Sequence, residues 1–83
     1  MSLRSCRIVY PEGDELEIGH DLGINQLVDL NGSPLRLPLP TSRMIAYRVY
    51  RKSTQIVRRE EIVSYYLELV SARELEQYTR GGA

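Results

Sequence analysis

The sequence predicts a mostly β domain: a small antiparallel sheet of five to six strands with one short C-terminal helix. Three observations carry this. Arg43 to Lys52 and Ile62 to Val70 are dense in β-branched and aromatic residues with charges between them, the composition of two long strands. Apolar residues elsewhere recur at every second position rather than at helical spacing. The runs are punctuated by Pro11-Glu12-Gly13-Asp14 and Asn31-Gly32, both turn signals. No segment reads as a crossover helix, which excludes a parallel sheet and leaves a mostly antiparallel one as the expectation.

Arg4 to Tyr10 alternates, with Cys6, Ile8 and Tyr10 on one face and Arg7 and Val9 on the other. After the Pro11–Asp14 turn, Glu15-Leu16-Glu17-Ile18 is a short second strand. Gly19 to Gly23 reads as irregular. Asn25 to Leu30 is moderately strand-like and leads into Asn31-Gly32, a hairpin turn because both residues accept positive φ. Leu35, Leu37 and Leu39 alternate with Arg36, Pro38 and Pro40. A proline donates no backbone hydrogen bond, so this piece is an edge strand or an extended connector.

The long strand from Arg43 should set Ile45, Tyr47 and Val49 on one face and Met44, Ala46 and Tyr50 on the other. Ser53-Thr54-Gln55 weakens the pattern, and residues 53–61 read equally as strand or loop around a charged reversal at Arg58-Arg59-Glu60-Glu61. In the last strand Val63, Tyr65, Leu67 and Leu69 form the apolar face, with Ile62, Ser64, Tyr66 and Glu68 opposite. Ser71-Ala72-Arg73-Glu74 is a capping box opening the helix, with Val70 and Leu75 as its hydrophobic staple. Leu75 and Tyr78 share a face, Glu76 and Arg80 form an i,i+4 pair, and Gly81 ends the helix. A meander closing into a partly open, SH3-like barrel is the first expectation. A two-layer arrangement with the helix on one sheet face is the second.

Eighty-three residues make a single small domain, residues 1–83, whose core is thin. One cysteine, Cys6, cannot form a disulfide within the chain and reads as a small buried apolar residue. With no Trp and no Phe, packing falls to the aliphatic residues and six tyrosines, and a second copy could extend it. No stretch suits a membrane span and the start shows no signal-peptide pattern, so a cytoplasmic location is the expectation.

The charge is zero overall but unevenly laid out. Residues 1–42 carry −3, residues 43–59 carry +6 with no acid, and residues 60–83 carry −3. Opposite charges on adjacent strands stabilise pairing by about 0.2–1 kcal/mol per pair, and that structural explanation ranks ahead of a phosphate-binding surface.

Chemistry-bearing constellations are scarce. His20, the single histidine, sits in a glycine-flanked loop without an evident partner. Asp14, Glu15, Glu17 and Asp21 form an acidic cluster, and Asp29-Leu30-Asn31-Gly32 resembles the start of a calcium loop but lacks its later ligands. Solvated surface and a hairpin turn explain these better. Leu37-Pro38-Leu39-Pro40 lacks the P-x-x-P spacing of a polyproline ligand. No cofactor or metal is expected.

The function expected is therefore a non-catalytic β module that binds another protein or itself, possible homodimerisation included. Its candidate surface is Tyr50 and Tyr66, opposite the core faces, with Arg48, Arg51, Lys52, Arg58 and Arg59. The alternative is a small β-barrel binding single-stranded nucleic acid through the same basic residues with stacking tyrosines; an acidic pI weighs against it. An enzyme is the least expected class.

Overall fold

The computed structural model describes residues 3–79. Five strands run β1 (Leu3–Val9), β2 (Glu15–Ile18), β3 (Leu27–Val28), β4 (Tyr47–Val57) and β5 (Glu60–Leu69), followed by α1 (Ala72–Thr79). They form one sheet in the order β2-β1-β5-β4-β3, curled into a half-barrel. The Glu76–Arg80 pair and the Gly81 stop expected from the sequence lie outside the described residues.

The mostly β class with a C-terminal helix holds, but the pairing is not a simple meander. β1 lies parallel to β5, with Cys6 beside Val63 and Ile8 beside Tyr65. All other strand pairs are antiparallel. A parallel pair needs a connection long enough to bring the chain back in the same direction. Here β2, β3 and β4 themselves supply that return, so no crossover helix is required.

The alternation read from β1 is realised. Cys6 and Ile8 are buried while Arg7 and Val9 are half-covered. The Pro11–Asp14 turn closes with Gly13 N–H donating to the Tyr10 carbonyl and Tyr10 N–H to the Asp14 carbonyl, Gly13 taking φ +101°. In the Asn31-Gly32 turn only Gly32 has positive φ. The second anchor is Asp29, whose Oδ1 accepts from the N–H groups of Asn31 and Ser33, both at 2.9 Å. This Asx turn explains the fragment that looked like a calcium loop. Its flanks pair only briefly: β3 is two residues long, and one bridge joins Val28 to Pro34. The Leu/Pro segment is a connector in which Leu39 is buried and Leu37 exposed.

Two clusters hold the fold. The larger joins Cys6, Ile8, Ile18, Leu22, Val28, Tyr47, Val49, Val63, Tyr65 and Leu67 on the concave face. The smaller packs Leu75 of α1 and Val70 against Leu27, Leu39 and Ala46 at one end of the other face. The capping box forms on one side only: Glu74 N–H donates to Ser71 Oγ at 3.3 Å, while the Glu74 carboxylate goes to Arg48. At the far end the Tyr78 carbonyl accepts from Leu39 N–H at 3.0 Å, satisfying a group the last helical turn leaves open.

β4 corrects the sequence reading twice. It begins at Tyr47, not Arg43, and Ile45 is exposed while Ala46 is buried. Residue 46 is already tied to the helix side, its carbonyl accepting from Val70 N–H, so the strand parity does not extend back to Ile45. The second correction is a bulge. The register with β5 shifts between Val49 and Arg51, leaving Tyr50 as the extra residue. Past it the parity changes: Lys52, Thr54 and Ile56 lie beside Tyr65, Val63 and Glu61 on the concave side, and Arg51, Ser53, Gln55 and Val57 lie opposite. At the other end of the face Leu69, beside Tyr47, is exposed rather than buried.

Residues 53–61 resolve as strand, two-residue loop and strand. Arg58 and Arg59 form the loop with φ of +49° and +70°, the left-handed pair of a type I′ hairpin turn. Arginine has no local compensation for that conformation, which costs roughly 1–2 kcal/mol per residue. Replacing the pair by the favoured types, Arg58→Asn with Arg59→Gly, will therefore stabilise the domain by about 1–2 kcal/mol. Urea unfolding followed by circular dichroism measures this, and an unchanged or lower midpoint contradicts the turn assignment.

Candidate interaction surface

β3 covers only the first part of β4's outer side. Leu27 and Val28 pair with Arg48 and Tyr47. Asn25, at φ +70°, turns its N–H onto the Val49 carbonyl at 2.7 Å, and Val49 N–H donates to the Gln26 carbonyl at 3.0 Å. The ladder ends there, at the bulge. From Arg51 to Val57 β4 pairs with β5 on one side and, among the described residues, with nothing on the other. The result is an arm, β5 flanked by β1 and β4, whose outermost strand is open along seven residues. Its exposed apolar groups are Tyr50 (52% exposed), Ile56 (75%) and Val57.

The seven residues singled out in the sequence divide into different environments. Tyr50 projects from the bulge into solvent. Tyr66 is half-buried, with the Arg51 guanidinium 5.4 Å from its ring centroid, a cation–π arrangement. Lys52 lies on the face opposite Arg51, and Arg58 and Arg59 form the exposed tip. Arg48 belongs to a different structure altogether. Its guanidinium bridges Glu68 at 3.0 Å and Glu74 at 2.5 Å, which ties β4 and β5 to α1. The Glu68 partner is the cross-strand ion pair expected from the charge layout. Arg48 is therefore a structural tie, and the candidate surface contracts to the arm beyond Val49.

A second cluster was not visible in the sequence. Asp21 Oδ1 accepts from Arg4 at 2.6 Å, from the Cys6 thiol at 3.3 Å and from the Tyr65 hydroxyl at 3.4 Å. Arg4 also bridges Glu61 at 2.7 Å. These groups tie the loop after β2 to β1 and β5 beside an open hollow lined by Glu17, His20 and Asp21 among others. His20 Nε2 lies 2.8 Å from the Gly32 carbonyl, joining this loop to the Asx turn. Burial pushes the Cys6 thiol up, and the Asp21 carboxylate adds to it; a nucleophilic cysteine needs the reverse shift. Glu15 is engaged with Arg7 at 2.8 Å. Among the described residues no three potential ligands converge on a metal position, and no helix is long and apolar enough to cross a membrane.

The two clusters set an acid dependence. Asp21 lies below the ordinary carboxylate value chiefly through the Cys6 hydrogen bond, with Arg4 adding to it. Glu74 lies below it chiefly through the Arg48 hydrogen bond. A carboxyl lowered by folding stabilises the fold above its unfolded value, and that contribution disappears as pH falls through the lowered folded value. The melting temperature should stay level from pH 7 to about 5 and then drop. Glu74→Gln should melt lower than wild type at neutral pH and lose less on acidification. A wild-type profile flat to pH 3 would contradict both assignments.

Comparison with known proteins gives a family and nothing finer. No curated protein and no solved structure matches the chain. Residues 3–78, spanning β1 through nearly all of α1, match a family described as "Uncharacterised Treponema protein", and the chain belongs to that family.

Proposed function

We propose that the protein is a non-catalytic β module that binds other protein surfaces through its β4–β5 arm. The observation that carries this is the open side of β4 from Arg51 to Val57, with Tyr50, Ile56 and Val57 exposed along it. An unpaired strand edge offers regularly spaced donors and acceptors that another polypeptide can satisfy. Exposed tyrosine and arginine beside it are the residue types that dominate protein contacts. The Cys6 thiol is pushed up by burial and by Asp21, the reverse of what a nucleophilic cysteine needs, which supports the non-catalytic part.

Nucleic-acid binding through the basic strand has less support. Arg48 is engaged by Glu68 and Glu74, and Arg51 and Lys52 point to opposite faces. Phosphate contacts strengthen as salt falls, so labelled single-stranded and duplex oligonucleotides titrated at low salt should not bind. Binding there would replace the present reading.

The direct test is site-specific photo-crosslinking in the cell of origin, with the photoreactive residue at position 50, 56 or 12. Protein adducts are expected from 50 and 56 and not from Glu12, which lies on the turn after β1. Adducts that are equal at all three positions, or missing from all three, would overturn the proposal.

A further inference from the structure

The partner that this edge fits best is another molecule of the same chain. We infer that β4 pairs antiparallel with β4 of a second copy, about a two-fold axis at Thr54. The inference rests on the protein-binding reading above and names its partner.

The outward-facing groups follow from the hairpin. Val57 and Glu60 flank the two-residue Arg58-Arg59 loop, and in such a hairpin the flanking pair exchanges both backbone hydrogen bonds. Val57, Gln55, Ser53 and Arg51 therefore direct their N–H and C=O groups to β5. Ile56, Thr54 and Lys52 direct theirs to the open side. The neighbouring ladder agrees: the Arg59 carbonyl accepts from Leu3 N–H, so residue 59 faces β1 and residue 60 faces β4.

A two-fold at Thr54 sets Thr54 against its copy, Lys52 against Ile56, Ser53 against Gln55 and Arg51 against Val57. The three outward pairs form about six backbone hydrogen bonds, two per pair. No like charges stand opposite each other. Behind Ile56 and Val57, one strand further in, lie Glu61 and Glu60. Lys52 and Arg51 of the second copy thus approach two carboxylates at about 10 Å between backbones, within reach of long side chains. Each copy offers Lys52 and Arg51 and, beside the Arg58-Arg59 loop, the Glu60 and Glu61 carboxylates, so these contacts occur twice and the pairing closes as a dimer.

Other registers are worse. A slip of two residues toward the loop sets Lys52 directly against Arg58, and like charges directly opposite are destabilising. A slip of two the other way sets Ile56 against the bulged Tyr50 and loses an outward pair. A slip of one would bring the two concave faces onto opposite sides of the joined sheet. The bulge and the Arg58-Arg59 loop bound the pairing at its two ends.

Sedimentation velocity of the full chain from about 10 μM to 1 mM, a range bracketing weak association, tests this. Wild type should convert from monomer to dimer and stop there. Thr54→Lys should weaken dimerisation roughly tenfold or more by setting two lysines opposite each other at the axis. It should melt like wild type, since Thr54 is exposed. Thr54→Pro, which removes only an outward N–H, should weaken it as well. A chain that stays monomeric, assembles beyond a dimer, or dimerises undiminished with Thr54→Lys would overturn the pairing. The two readings fail separately: a monomeric chain whose positions 50 and 56 still crosslink to a different protein sinks the self-pairing and leaves the binding module standing.

Discussion

Tyr65→Ala will remove about 3–5 kcal/mol of folding stability, a large fraction of what this domain has. Tyr65 is the largest fully buried side chain, 1% exposed, at the centre of the concave cluster between Ile8 and Lys52 in the sheet. Truncating a buried aromatic costs about 3–5 kcal/mol, because the surrounding strands collapse only partly into the space. A domain of this size has roughly 4–12 kcal/mol of stability in all. Tyr65→Phe keeps the ring and removes only the hydroxyl, whose bond to Asp21 is long at 3.4 Å. It should cost no more than about 1 kcal/mol. Urea unfolding of the two variants separates ring from hydroxyl. A Tyr65→Ala chain as stable as wild type would mean that the concave face is not the core.

Gly32→Ala carries the second large effect, from an exposed-looking turn. Gly32 holds φ +82°, and a Cβ there would stand 2.9 Å from Ile8 Cδ1 and 3.1 Å from Ile18 Cγ2. Left-handed backbone costs a non-glycine residue about 1–2 kcal/mol. Displacing Ile8, which is fully buried, adds about 1–3 kcal/mol. Together these approach the Tyr65→Ala loss, and Gly32→Val should exceed it. Asn31→Ala beside it should change the melting temperature little, because the turn uses the Asn31 backbone and the Asp29 side chain. Equal effects at 31 and 32 would contradict the close approach of the turn to β1.

Local pattern revealed the local features. The β1 alternation, the four-residue β2 and the Val63–Tyr65–Leu67 row needed only a period of two, and the helix start needed only Ser71 and Leu75. What was hidden depends on residues distant in sequence or on backbone angles without a residue signature. Nothing in Leu3–Val9 announces a parallel neighbour more than fifty residues away. The Tyr50 bulge looks like ordinary alternation until the register with β5 is known. Arg58 and Arg59 occupy a turn where asparagine and glycine would have advertised it. At the candidate surface, the exposure of Tyr50 was legible. Arg48 was not, because Glu74, which helps to hold its guanidinium, comes 26 residues later. Asp21 was passed over because a solvated carboxylate and a hub for Arg4, Cys6 and Tyr65 look the same in one dimension.

Amide hydrogen exchange along β4, residue by residue at low and high protein concentration, reaches the centre of this account. In dilute solution Lys52, Thr54 and Ile56 should exchange quickly while Arg51, Ser53, Gln55 and Val57 are protected by β5. At high concentration the first three should slow as well. Seven amides equally protected at low concentration would show an edge already covered within one molecule, and the open arm on which the proposed contact depends would not exist.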